Sequence, residues 1–316
     1  MKRVGKVLAA LLLIATAAAV VWWVREPLEV LATMRRMGME RAGFEATELE
    51  VEGGAVRVWS RGAGPTLLFV HGVGNDAGTW VAVAPALAEH YRVVVIDLPG
   101  HAGLAPQSGP LPMATVIAGA EAALAATSGK VTVVGNSLGG WLAFLLAERH
   151  PERVERIVAI GGGPLAGEAG GPSLVPKNRE EAAALMARVR DASAPPLPGY
   201  MLDDLIERAG SGPIGRLSAD VPGLVAALWN EDRLQTLATP VDLLWGASDR
   251  IVPLTYAERL ESLLPVARLQ VIPSCGHVPQ LECPGTFLDQ LRSVLSTAPA
   301  IPATIQTERS VESGGM

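Results

Sequence analysis

The chain has 316 residues, of which 49% are hydrophobic and 18% charged, with a net charge of −6. That is enough material for a full core in one large α/β domain or two small ones. No Lys/Arg-rich run or basic stripe is present, which argues against nucleic acid as a partner. The two cysteines, Cys275 and Cys283, cannot scaffold a domain of this size, so packing has to hold it.

Residues 1–25 form the first element. Lys2, Arg3 and Lys6 precede an apolar run from Val7 to Val24, interrupted by Thr16 and closed by Arg25. As a helix rising about 1.5 Å per residue, the run reaches roughly 27 Å, enough to span a bilayer core. Trp22 and Trp23 end it with side chains suited to a membrane interface. The reading is an uncleaved membrane anchor. A cleaved signal peptide is the alternative, but Val20–Trp23 continue the apolar run past the small residues Ala17 and Ala19. The basic residues before the run favour a cytoplasmic N-terminus, with the bulk of the chain outside the cytoplasm. Residues 26–43 read as an amphipathic connector with Leu28, Leu31, Met34 and Met37 on one helical face. That face either packs on the domain or rests on a membrane.

Residues 44–164 and 239–297 then alternate strand and helix. "TELEVEGG" and "AVRVWSRG" form a hairpin across Gly53 and Gly54. "TLLFVHG" precedes a helix over Ala77–His90, and "YRVVVIDLPG" a helix over Met113–Ala126. "KVTVVGNS" runs into the helix "LGGWLAFLLAERH", and "VERIVAIGG" follows. "PVDLLWGASD" leads to a helix over Leu254–Leu264, and "ARLQVIPSCGH" to a last one over Pro284–Leu295. Val/Ile/Leu strands alternating with helices predict an α/β fold, a mainly parallel sheet covered on both faces. Residues 165–238 are helical in pattern and broken by prolines, and they predict a cap or lid over one end of the sheet. The tail, 298–316, carries no apolar pattern and reads as disordered.

The chemistry centres on "VTVVGNSLGG", Val131–Gly140. A strand that stops on Gly-Asn-Ser and restarts as a helix is the setting of a nucleophile elbow, with Ser137 at its tip. A serine hydroxyl needs a base. His277 follows the last strand directly and fills that role, whereas His71 reads as a structural residue holding its loop. The base needs an acid to fix its tautomer. Asp249 stands at the end of the preceding strand, while Asp242 opens that strand and points to the opposite edge. The chain order Ser137, Asp249, His277 is the one expected for such a triad on an α/β sheet. The oxyanion donors are the N–H groups of Leu138 and Val73.

Together, "FVHGVGN", "VIDLPGHAG", "VGNSLGG", "LLWGASDRIVP" and "CGHVPQLECP" resemble the α/β-hydrolase superfamily over roughly Glu48–Ser296. The resemblance implies acyl-enzyme chemistry: Ser137 as nucleophile, His277 as base and acid, Asp249 as its orienting partner, and no cofactor. With the N-terminal segment, the chain is similar to membrane-associated monoacylglycerol lipase-like members and bacterial lipases. It departs from many relatives at Ala102-Gly103-Leu104, where they carry a serine. The implied substrate is a small-molecule ester or lipid, cleaved by a serine esterase. Leu174, Met186, Leu197, Tyr200 and Met201 are the candidate lining of its acyl pocket. Gly-Asn-Ser also occurs in the carbon–carbon bond hydrolases of meta-ring-fission products. Those would need cationic cap contacts, for which Arg188 and Arg190 are candidates. A non-catalytic binding protein of the same fold is a third reading. Around His277, Cys-x-His-x5-Cys matches no standard zinc pattern, so no metal is expected. The cysteines are either two small buried residues or a disulfide.

Overall fold

The computed structural model describes residues 2–166 and 173–298. Residues 167–172 of the expected cap and 299–316 of the expected tail lie outside the described residues. The apolar runs form eight strands: β1 (Glu45–Val51), β2 (Gly54–Arg61), β3 (Thr66–Val70), β4 (Arg92–Asp97), β5 (Val131–Asn136), β6 (Val154–Ile160), β7 (Val241–Gly246) and β8 (Ala267–Ile272). Their order in the single sheet is β1-β2-β4-β3-β5-β6-β7-β8. β1 and β2 pair antiparallel, as does β2 with β4, and the rest run parallel. The buried runs of β3, β4 and β5 explain this arrangement: strands covered on both faces have no polar side to show water.

The helices are α1 (Lys2–Arg25), α2 (Pro27–Arg41), α3 (Ala84–Leu87), α4 (Met113–Ala125), α5 (Leu138–Arg149), α6 (Arg179–Val189), α7 (Gly199–Ser211), α8 (Pro213–Ser218), α9 (Val221–Ala227), α10 (Glu231–Gln235), α11 (Leu254–Leu263), α12 (Pro279–Glu282) and α13 (Pro284–Ser296). One face of the sheet packs on α4 and α5 through Val133, Ile157, Phe144 and Leu142. The other packs on α13 and α2 through Phe69, Trp80, Phe287 and Met39. The expected helix over Ala77–His90 is replaced by a 3-10 turn, Ala77–Trp80, and the single turn of α3. Pro85 lacks an N–H and begins a new turn rather than continuing the old one. Asp97 fixes the 3-10 turn by accepting the Ala77 N–H at 2.6 Å.

The strand ends bring the candidate loops together. Because β3 lies between β4 and β5, its exit loop and the exit of β5 leave the sheet side by side, at the point where strand order reverses. Val70 of β3 pairs with Gly135 of β5, and Gly246 of β7 with Ile272 of β8. Gly72 and Ser137, and likewise Asp249 and His277, therefore emerge from the same edge. At that edge α6 meets His277 through the Val189 carbonyl and α8 sets Ile214 against Gly74, with Pro at the start of α8 and α9 restarting the chain direction. By contrast, α10 lies by the far end of α5, where Arg233 bonds Glu148.

The N-terminal helices carry one correction. Among the described residues no single helix is long and apolar enough to cross a membrane. The pair Leu11–Arg25 and Pro27–Arg41 passes by length and composition, bent by 112°. The bend falls where Pro27 opens α2. In α2 the buried residues are Pro27, Val30 and Met39, while Met34 and Met37 of the expected apolar face are 60% and 41% exposed. The stripe divides: Leu28 and Leu31 are half-buried, while Met34 and Met37 point outward because the opposite face there packs on the 3-10 turn. There a Cβ on Gly78 would stand 2.7 Å from the Arg35 Cβ and 3.1 Å from the Arg36 nitrogen.

Cys275 and Cys283 are joined in a disulfide, so both cysteines are spent on the clasp that brackets His277. Closing a loop of this length stabilises the fold by about 2.5 kcal/mol in the chain-entropy account. Cys283→Ser is expected to lower the unfolding free energy read from urea titration by that amount, and the same loss should follow when the native protein is reduced.

Candidate active site

Ser137 is the residue between β5 and α5, with φ 56° and ψ −115°. A non-glycine residue in that region is strained. The turn closes because its neighbours lack side chains: a Cβ on Gly139 would come within 2.1 Å of the Val70 carbonyl oxygen, and one on Gly162 within 2.1 Å of the Ser137 oxygen. The Ser137 N–H donates to the Ile160 carbonyl at 2.8 Å, tying the elbow to the end of β6. The strain thus serves to hold the serine proud of the sheet at the first turn of α5, where the helix dipole favours negative charge.

Across the same edge, His277 Nδ1 lies 2.7 Å from Asp249 Oδ2, with both side chains buried. The other carboxylate oxygen accepts the Ile251 and Val252 N–H groups at 2.9 and 3.0 Å. Asp249 is therefore held by two backbone donors and has one oxygen left for the imidazole. With Nδ1 protonated toward Asp249, Nε2 of His277 is the free lone pair. Gly161 and Gly162 mark where the three residues converge. A Cβ on Gly161 would stand 3.0 Å from His277 Nδ1 and 3.1 Å from Asp249 Oδ2, while Gly162 abuts Ser137. Asp242 sits at the far end of β7 and bonds the buried Arg156 at 2.6 Å, at the other edge.

Two residues that the sequence reading passed over fix the histidine. Asn136 donates from Nδ2 to the His277 carbonyl at 2.9 Å and to the Ile160 carbonyl at 3.1 Å. Gln280 in turn donates to Asn136 Oδ1 at 3.1 Å. The residue next to the serine thus fixes the backbone of His277. The only signal in the sequence was its place in Gly-Asn-Ser. The cap contributes too: the His277 N–H donates to Val189 O of α6 at 2.7 Å. Glu282 accepts the Asp191 N–H at 2.6 Å and the Gly276 N–H.

The loop after β3 approaches the serine closely. A Cβ on Gly72 would stand 3.1 Å from the Ser137 Cβ. The N–H groups of Val73 and Leu138 donate to no other group among the described residues. His71 holds this loop, as expected. Its Nδ1 donates to the Gly72 carbonyl at 2.8 Å and its Nε2 accepts the Leu98 N–H at 3.0 Å, so both nitrogens are committed. Burial keeps the His71 imidazole below its usual pKa. His101 packs edge-on against it at 4.9 Å, and burial first, then the neighbouring His71, bring its pKa down to about 3. Neither ring is suited to move a proton near neutrality. The far end of the loop is anchored by α2: Arg36 bonds Asp76 at 2.5 Å and Glu29 at 2.7 Å, and Glu29 also takes Arg208 of α7 at 3.0 Å.

A cavity of about 1510 Å³ opens beside this site, between α2, α7, α8 and the loops after β3 and β4. It meets the triad region at Val73 and Val278 without being lined by Ser137 or His277 themselves. Of the residues expected to line an acyl pocket, Met186 and Leu197 are on its wall, and Leu174, Tyr200 and Met201 are not. The wall also takes Leu28 and Ala32 of α2 and Ile214 of α8, none of which composition alone could single out. Arg190 lines the cavity but donates to the Pro195 carbonyl, and Arg188 donates to the Arg250 carbonyl.

A sequence profile described as the Alpha/beta hydrolase family matches residues 67–290. The chain belongs to that family. Among the relatives of this hydrolase is a pimeloyl-[acyl-carrier protein] methyl ester esterase of Aromatoleum aromaticum. It is 32% identical over 241 residues, which cover 70% of this chain and 94% of that protein. A solved structure of a membrane phospholipase A, described as a bacterial virulence factor, is 29% identical. It superposes with a TM-score of 0.72 over 93% of this chain and 98% of its own. A meta-cleavage product hydrolase from Pseudomonas fluorescens IP01 shares the fold at 23% identity. Its TM-score is 0.65 over 78% of the hydrolase described here and 96% of its own chain.

Proposed function

We propose that the chain is a membrane-tethered serine esterase. It cleaves carboxylic esters of lipid-like acids through an acyl-enzyme on Ser137. The observation that carries the reading is the buried Asp249–His277 pair at 2.7 Å, converging with a strained serine on one sheet edge. His277 Nε2 takes the Ser137 proton as Oγ attacks the ester carbonyl. The oxyanion forms against the Val73 and Leu138 N–H groups at the amino end of α5. The tetrahedral intermediate collapses, the leaving alcohol takes the proton from His277, and the acyl group stays on Oγ. His277 then activates a water to release the acid. No step calls for a cofactor.

The ester class is supported by the esterase relative at 32% identity and by the phospholipase at 29%. The carbon–carbon alternative has fold likeness alone, and the two cap arginines it would use are engaged with backbone carbonyls. The tether rests on α1, where Leu11–Ile14 and Val20–Val24 are exposed. The phospholipase likeness, at 93% of this chain, reaches beyond the hydrolase core into the terminal segments. A disulfide beside the base favours a domain outside the cytoplasm.

The deciding experiment is labelling with a fluorophosphonate, followed by peptide mapping. A single adduct on Ser137, blocked by prior denaturation, is the expected result. An unlabelled protein, or an adduct elsewhere, would reject the serine mechanism and favour a binding role.

A further inference from the structure

The arginines on the cavity wall are not alike. Arg36 is held by Glu29 and Asp76, and Arg208 by Asp204 at 2.8 Å and by Glu29. Arg190 and Arg216 donate to backbone carbonyls. Of the two that remain on the wall, Arg25 is exposed at the end of α1, whereas Arg35 is partly buried. Its guanidinium makes no hydrogen bond or ion pair among the described residues. Asp76, the acid whose charge it feels most, is already bonded to Arg36.

The acids inside the cavity offer it no partner either. Asp204 is taken by Arg208 and the Leu28 N–H, Asp191 by Ser193 and Ser248, and Glu282 by two backbone N–H groups. Glu26 and Glu207 are exposed residues of the cavity wall. A guanidinium partly stripped of water, with its planar fork of donors unused, carries a desolvation penalty that an incoming anion would offset. Burial accordingly holds the Arg35 pKa below the usual arginine value.

Its position is also telling. The Arg35 Cβ and the Arg36 backbone nitrogen rest on Gly78, at the far end of the loop that begins at Gly72 beside Ser137. The cation therefore shares a cavity with the candidate oxyanion loop while standing apart from the triad. We infer that Arg35 anchors a phosphate or carboxylate carried by the ester substrate, and that it selects anionic esters over neutral ones of the same acyl chain. The planar fork matches such groups in a bidentate way. This inference rests on the ester-hydrolase reading above and names the class of ester.

Two arms test it on the full chain in detergent. In the first, kcat/KM is measured on a 1-acylglycerol 3-phosphate and on the matching 1-acylglycerol. Arg35→Gln is expected to lower the ratio of the two by about ten- to a hundredfold, the worth of a charge-assisted hydrogen bond, mainly through KM of the phosphate ester. Arg35→Lys should restore part of the ratio. An unchanged ratio, as when both esters fall together, overturns the assignment.

The second arm needs no turnover. Calorimetric binding of decyl phosphate and decanol is compared in Ser137→Ala with and without Arg35→Gln. A preference for the phosphate that vanishes with Arg35 supports the anchor, even if no ester is hydrolysed. Equal affinities overturn it. Displacement of decyl phosphate by inorganic phosphate at equal strength would likewise overturn a lipid-borne anion.

Discussion

Ser137→Ala is expected to lower kcat for a p-nitrophenyl ester by about 10⁶-fold, leaving a residue of catalysis from the oxyanion donors and binding. The size follows from what is removed. Without Oγ no covalent acyl intermediate forms, and His277 is left with no hydroxyl to deprotonate. The substitution should leave the fold in place, because alanine meets the same strained φ of 56° that serine already tolerates and adds no atom. KM should change little, since the cavity wall excludes Ser137. The measurement is steady-state turnover alongside a thermal melt. Turnover within tenfold of the wild type at an unchanged melting temperature would show that another group is the nucleophile.

The sheet was legible because its central strands, β3 to β7, are apolar on both faces, a pattern that only burial explains. The elbow was legible because Gly135, Gly139 and Gly140 have no purpose in a helix that starts on a strand, other than to let the backbone fold sharply. The placing of Asp249 over Asp242 also followed from strand direction alone, since the two sit at opposite ends of β7. What stayed hidden depends on partners distant in the chain. Asn136 reads as a loop residue until the His277 carbonyl, far along the sequence, arrives beside it. The face of α2 was legible only in part, for the same reason. Its Leu28/Leu31/Met34/Met37 stripe obeys helical periodicity, but the orientation is set by Arg36 meeting Asp76 and by Arg35 resting on Gly78. A charged face turned inward is invisible to any rule that puts apolar residues inside. Of the five residues named as lining, two, Met186 and Leu197, are on the cavity wall, whereas α2 and α8 supply other parts of it that belong to no single stretch of sequence.

Asp249→Asn is expected to lower kcat by about 10⁴-fold with the fold intact, because the two carboxylate oxygens do different work. Oδ1 accepts the Ile251 and Val252 N–H groups. An asparagine can keep those bonds only by placing its carbonyl oxygen there, because two N–H donors would repel an amide NH₂. The NH₂ is then forced toward His277 Nδ1, where the carboxylate oxygen had stood at 2.7 Å. A donor at that position demands a lone pair on Nδ1, so the ring proton moves to Nε2. The imidazole then faces the serine as a donor and can no longer take its proton. The loss of the negative charge also removes the stabilisation of the imidazolium that forms as Ser137 attacks. The loss should fall on kcat and kcat/KM alike, since the interaction strengthens only as that charge develops. Pre-steady-state kinetics should show the acylation step slowed. An Asp249→Asn enzyme with near-normal acylation would mean that His277 is oriented by its backbone bonds to Asn136 and Val189 alone, and that the carboxylate is structural.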